Sequence, residues 1–541
     1  MTGLARMDST GAETAHRPGR IPSWVPAAWL LALAAFLWAP AAEAQPEFTP
    51  QFGDAEPFSF DLLKARAEAL AAEPFVPYEV QKPEELDAID YDAHWRIRFR
   101  PEATVRVGDT PLQFFHLGRY FREPVVMHVV EGGEAREILY SADFFDIPED
   151  SPAQAIEDVA GFAGFRIMRE DLQTDWISFL GAAYFRTDGP DTQYGLSARA
   201  VAIDPGLASP EEFPRYTEFY IEDGGEGDAD VTIYALMDGP SVAGAYRIAA
   251  RNGDGQILDV SSALYFRNPV GRLGVAPLTS MYWYSESNRV QAFDWRPEVH
   301  DSDGVAITTG TGEQIWRPLN DPDRAVTSSF ADENPRGFGL LQRDRSFENY
   351  QDDGVFYNRR PSVWIEPKGD WGRGAVELVE LPTDDEIHDN IVAYWQPGDL
   401  PEAGDALAFD YRVHWGRGLP VTPVVARTMA TRIGAGGVPG QPRPADQVRY
   451  VIDFEGGGLE SLTASDGVEP VVTVGEGASV VRAYALPIVG TGGWRMTFDL
   501  QIAPGTETVD LRAFLRQGDE ALTETWLGQL HPGQLGLFGS D

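Results

Sequence analysis

Hydrophobic residues recur in this chain mostly at every second position, in short runs broken by Gly, Pro, Asn and Asp. That period places apolar side chains on one face of an extended strand, whereas a helix needs them every third or fourth residue. Trp95-Arg96-Ile97-Arg98-Phe99-Arg100 alternates apolar and basic residues and predicts a half-buried strand. Phe114 to Phe121, Val125 to Val130 and Val231 to Leu236 read as further strands with looser alternation. Tyr246 to Ala250 and Ile257 to Phe266 flank Asn252-Gly253-Asp254-Gly255, which supplies the positive φ of a tight hairpin. Two segments depart from the pattern. Phe60 to Leu70 collects strong helix formers, with Ser59 placed to cap its start and Pro74 to close it, and a short helix is predicted near Ala153 to Val159.

The strand pattern continues to Phe409–Trp415, after which Gly416, Pro420 and Pro423 interrupt it, followed by the loop Gly434 to Pro442. Beyond lie predicted strands at Val448 to Phe454, Val471 to Val474, Val480 to Leu486, Trp494 to Ile502 and Leu511 to Leu515. Their number and spacing suit a small immunoglobulin-like sandwich. The expected organisation is all-β, with a large region over residues 45–415 and a smaller one over 416–541.

At the N-terminus, Arg17 and Arg20 precede an apolar run from Val25 to Trp38, and Ala42-Glu43-Ala44 has the small residues of a secretory cleavage site. Residues 1–44 are expected to be a signal peptide cleaved after Ala44, which places the mature chain in the periplasm. The alternative is a membrane anchor, for which the run falls short of the roughly 20 residues needed.

Composition narrows the chemistry. With 84 acidic and 43 basic residues the net charge is −41, which disfavours nucleic acid or an anionic membrane as partner and suits a neutral ligand. The absence of cysteine removes disulfides, thiolate nucleophiles and cysteine-based metal sites together. The eight histidines are scattered, and no nucleophile elbow, phosphate loop or dinucleotide fingerprint is present, so no metal and no cofactor are expected.

What remains is carboxylates and aromatic rings, and both are dense between residues 282 and 395. Rings stack on the apolar faces of sugars while polar groups take the hydroxyls, which makes Trp283, Trp295, Arg296, His300, Trp316, Arg359, His388 and Trp395 candidate substrate contacts. Two acidic segments lie here, Arg296 to Gly304 and Asp384 to Trp395. Glycosidic cleavage uses two carboxyl groups, roughly 6.5–9.5 Å apart when configuration inverts and near 5–5.5 Å when it is retained. Taken singly, Asp301 and Asp303 could equally form a turn before Gly304, and Asp389 could cap the strand after it; spacing does not decide.

Several longer motifs are more specific: Gly181-Ala182-Ala183-Tyr184-Phe185-Arg186, Tyr194 to Arg199, Glu211 to Arg215, Gly274 to Met281, Arg296 to Gly304, Ile315 to Asn320, Glu333 to Arg343 and Asp389 to Trp395. Through them the mature chain resembles the periplasmic glucan biosynthesis proteins G and D over nearly its whole length. The resemblance implies a large N-terminal β-sandwich of galactose mutarotase-like type with a carbohydrate cleft, followed by the immunoglobulin-like sandwich. It implies an enzyme acting on β-1,2-glucan with inversion, either an endo-glucanase or a transglycosylase that closes rings. By motif, the general acid falls on Asp389, the base on Asp301, and a cleft tyrosine of the proton-relay path on Tyr357. The partners implied are β-1,2-glucan, with the inner-membrane glucan synthase and a second copy of the chain as further candidates. The competing expectation is a non-catalytic protein that guides or sequesters nascent glucan.

Overall fold

The computed structural model describes residues 48–535 except 182 and 226, so the signal peptide expected over residues 1–44 lies outside the described residues. Almost everything described is β. Two large sheets of sixteen and eleven strands dominate, accompanied by a four-stranded sheet and two small ribbons. The eleven-stranded sheet runs in the order 326–333, 373–380, 391–397, 273–280, 197–199, 184–187, 175–180, 162–168, 110–116 and 105–107, with 201–203 also paired to 273–280.

Aromatic rings from the two large sheets meet between them. Phe165 and Phe179 stand edge-on to Phe219 with centroids 5.0 and 5.7 Å apart. The buried Tyr246 hydroxyl donates to the Ala200 carbonyl at 3.0 Å, giving this core one satisfied polar cross-link. The hairpin expected around Asp254 is the longest pairing in the sheet, Val242–Gly253 with Gly255–Phe266, and Gly255 takes φ +95°.

The predicted first helix spans Phe60–Ala71, and the Ser59 hydroxyl accepts from the Leu62 N–H at 3.2 Å. It buries Leu63 and Ala67 against Val130, Tyr220 and Leu236 of the sixteen-stranded sheet. The predicted strand at Trp95 to Arg100 is corrected. Asp90 accepts from the Ala93 N–H at 3.0 Å and caps a helix over Tyr91–Trp95, leaving only Arg98–Phe99 extended. Six alternating residues are too few to outweigh a helix cap just upstream. Near residue 153 the helix is a 3-10 turn, Pro152–Ile156. Among the described residues no helix is long and apolar enough to cross a membrane.

After Gly416 the chain changes sheet. Arg427–Ala435, Gln447–Glu455, Trp494–Ile502 and Ala478–Pro487 form the four-stranded sheet, whose Tyr450, Trp494 and Phe498 share a core with Leu511, Leu515 and Trp526. The strands facing it, 468–474, 509–517 and 525–530, belong to the sixteen-stranded sheet through parallel pairing of Ile315–Trp316 with Thr525–Trp526. Trp316 and Trp364 also enter this core, and the described residues from Thr49 on are continuous in packing.

Candidate active site

Asp301 and Asp389 come together through one peptide unit. Strand Leu273–Ser280 pairs with Ile391–Pro397, and Ser280 faces Ile391 where that pairing ends. The chain then continues as Tyr282–Tyr284, which pairs with Val299–His300. On one side of the junction the Met281 carbonyl accepts from the Asp301 N–H at 2.8 Å. On the other, Asn390 clamps Tyr282: its Oδ1 accepts from the Tyr282 N–H at 2.8 Å and its Nδ2 donates to the Tyr282 carbonyl at 2.9 Å. Asn390 also donates to the Leu381 carbonyl at 2.8 Å, closing the base of the loop that carries Asp389. The backbone of Asp301 and the side chain next to Asp389 thus flank Met281–Tyr282, and the charge of Asp389 is near enough to raise the proton affinity of Asp301.

Burial pushes Asp301 up to about 6, assisted by Asp389 and opposed by Arg360, whose guanidinium donates to it. Asp389 is likewise pushed above the ordinary carboxylate range by desolvation, against Arg186, Arg360 and Arg199. Its surface is exposed to solvent all the same. Both hold for a group that touches water on one side while protein surrounds it on the others.

A second assembly fixes the loop that bears Asp389. Arg296 uses all five of its N–H donors: two on Asp294 at 3.0 Å each, one on Asp352 at 2.9 Å and two on Glu386 at 2.7 and 3.2 Å. Three loops are thereby tied together. The Tyr357 hydroxyl donates to Glu386, and Arg360 lies over the Tyr357 ring at 4.3 Å while reaching Asp301. Burial and the bond to Glu386 keep Tyr357 protonated well above the ordinary tyrosine range.

The remaining candidates divide by exposure. Trp295 is 68% exposed beside Arg296, Trp283 is half-buried against Tyr284, and Arg359 and His388 are exposed. Four candidates are corrected to supporting roles. Arg296 has no donor left for a sugar. His300 is fully buried, with one ring nitrogen 2.9 Å from Gln342 Oε1 and the other 3.0 Å from Glu298 Oε2, so neither is free for a sugar. Trp316 packs on Gly304, where a Cβ would lie 2.2 Å from its ring, under the Arg343 guanidinium at 3.6 Å. Trp395 is wholly buried near Trp371.

Arg186, Arg199, Glu386 and Asn390 are the contributors that sequence reasoning passed over. Tyr184 and Arg186 share a face of one strand, and Arg199 is the cross-strand partner of Tyr184 with its guanidinium 5.3 Å from that ring. Two-residue spacing on a strand named in a family motif was the available signal. Among the described residues no group of three or more His, Asp or Glu side chains is arranged to hold a metal ion.

Comparison with known proteins gives the family of the chain. Residues 58–530 match the family described as "Periplasmic glucan biosynthesis protein, MdoG". The chain is 50% identical over 499 residues to glucans biosynthesis protein D 2 of Ralstonia nicotianae, covering 90% of this chain and 93% of that protein. It is 46% identical over 492 residues to glucans biosynthesis protein D of Stenotrophomonas maltophilia, covering 90% and 92%. It is 44% identical over 504 residues to the protein of that name from Xanthomonas campestris pv. campestris, covering 92% and 94%. The family's description places it in the periplasm and in glucan biosynthesis, and this chain belongs to that family.

Proposed function

We propose that the protein is a periplasmic enzyme that cleaves or rearranges β-1,2-glucan with inversion at the anomeric carbon. The observation that carries this reading is the pair of electrostatically coupled carboxyls on segments tied together at Met281–Tyr282, one buried and one open to solvent, both held above the ordinary carboxylate range. Asp389 donates its proton to the leaving glycosidic oxygen, for which a raised proton affinity and an open position are the requirements. Asp301, ionised above about pH 6, takes the proton of the attacking hydroxyl through a relay of Tyr357 and substrate hydroxyls. Arg360 stabilises the ionised base and orients Tyr357. Trp283 and Trp295 offer the ring faces on which glucosyl units stack. Whether water or a sugar hydroxyl attacks depends on what fills the acceptor position, so hydrolysis and transfer share this machinery.

Incubation of purified protein with β-1,2-glucan, followed by mass spectrometry, tests the reading. Linear products of reduced length, or cyclic products lighter by one water, are expected. Glucan bound but unchanged in size would overturn the enzymatic reading in favour of a carrier.

A further inference from the structure

The helix Tyr91–Trp95 leaves two large rings in solvent: Tyr91 is 67% exposed and Trp95 72%. Their planes lie within 12° of one another with centroids 6.2 Å apart, an offset stack that covers only part of each ring. The rings therefore share an orientation while each keeps most of its surface open. The backbone beneath them is fixed. Asp90 caps the helix, His94 Nε2 is 2.8 Å from the His116 carbonyl oxygen, and the Arg119 N–H donates to the Ile89 carbonyl at 3.0 Å. Gly118 lies so close to His94 that an added Cβ would sit 2.9 Å from the imidazole, and two residues on Tyr120 is 65% exposed.

From this geometry we propose that Tyr91 and Trp95 form an accessory platform for the same neutral glucan, separate from the catalytic cleft. The inference rests on the reading of the protein as a β-1,2-glucan enzyme. Two rings offer about 150–250 Å² each, well below the roughly 1,000 Å² that a stable protein interface requires. Two similarly oriented apolar faces on a rigid helix suit consecutive pyranose rings of one chain, and a neutral sugar meets no penalty from the net charge of −41. His116 ends the strand Thr110–His116, which stands three strands from Tyr184–Thr187 at the cleft, or about 14 Å across the sheet at ~4.8 Å per strand. A polymer engages both places; an oligosaccharide that only fills the cleft does not. The platform raises the local concentration of long chains and leaves the chemistry alone.

The test is the double variant Tyr91→Ala/Trp95→Ala in the otherwise native chain, with β-1,2-glucan polymer and a β-1,2-linked trisaccharide as probes. Binding is followed by calorimetry and turnover by product release. Stacking of about 0.5–1.5 kcal/mol per ring corresponds to a roughly two- to twelvefold loss each, so affinity for the polymer should fall at least about fivefold. kcat and trisaccharide binding should stay unchanged, and Trp95→Phe should keep most of the polymer affinity. Unchanged polymer affinity in the double variant, with native protein active, overturns the platform alone. A native protein that neither binds nor converts β-1,2-glucan overturns the platform together with the function proposed above. A shift in sedimentation on mutation would reassign the face to contact between copies of the chain and overturn the proposal.

Discussion

Asp301 and Asp389 stand on the two sides of one peptide unit in opposite conditions. Asp301 is sealed: its backbone is bonded to Met281, Arg360 reaches its carboxyl, and His300 behind it is locked between Gln342 and Glu298. Asp389 is open, on a loop anchored by Asn390 at its base and by Glu386 to Arg296, with its carboxyl engaged electrostatically by three arginines. Desolvation raises both, but only the open one can meet a leaving oxygen that arrives with substrate. A base, by contrast, gains from being fixed before substrate binds. In the mechanism proposed above, this difference in setting, more than the shared residue type, is what would separate the roles of acid and base.

The largest way to break the comparison is to remove either proton function. Asp389→Asn should lower turnover of β-1,2-glucan by about 10²–10⁴-fold while glucan binding and the unfolding midpoint stay near native. Asp301→Asn should lower it comparably. Steady-state kinetics beside calorimetric binding separates these outcomes from misfolding.

Next in size is the hub that holds the open side. Arg296→Met leaves Asp294, Asp352 and Glu386 without their cation, and breaking such a buried ion pair costs about 3–5 kcal/mol. Chemical denaturation should show that loss, with a fall in kcat beyond any change in KM because the loop bearing Asp389 loses its anchor.

A subtler change acts on the sealed side. Arg360 pulls Asp301 down, so Arg360→Gln should raise the pKa of the base and move the acid limb of the kcat/KM profile from near pH 6 to higher pH.

The smallest expected effect contrasts Asp301 with its neighbour Asp303. Asp303 is also pushed by burial to about 6, and it accepts from the Arg343 and Asp344 N–H groups at 2.9 Å through one oxygen while the other has no partner. A folded pKa above the unfolded 3.8 means the native state holds more protons between those values. Stability is therefore greatest below about pH 4 for this group and declines as pH rises toward 6 and beyond. A rise from 3.8 to about 6 corresponds to at most roughly 3 kcal/mol. Asp303→Asn should flatten the decline in unfolding midpoint over that window, since an amide oxygen keeps both backbone bonds.

Sequence periodicity carried the class of fold and most of the long strands, because half-buried strands write their faces as alternation. It failed where side-chain bonding overrides alternation. Asp90 turns Tyr91–Trp95 into a helix, and the strand Arg427–Ala435 hides Thr428 and Thr431 inside the protein with few large apolar residues to mark it. In the site, family motifs singled out Asp301, Asp389 and Tyr357, and both Asp389 and Tyr357 lie within electrostatic reach of Asp301. Burial was not legible: an exposed ring and a core ring look alike in sequence, which is why Trp316 and Trp395 read as sugar contacts. Nor was the saturation of Arg296, since its three carboxylate partners come from three separate loops.

In the proposed mechanism Asp389 and Asp301 act as an inverting acid and base. Proton NMR of the first products formed from β-1,2-glucan, recorded before mutarotation, reads the anomeric centre directly. The account predicts an α-configured centre, whether a released reducing end or a new linkage to a sugar hydroxyl. A β-configured first product would mean retention through a covalent intermediate and would contradict the assignment of Asp301 as base.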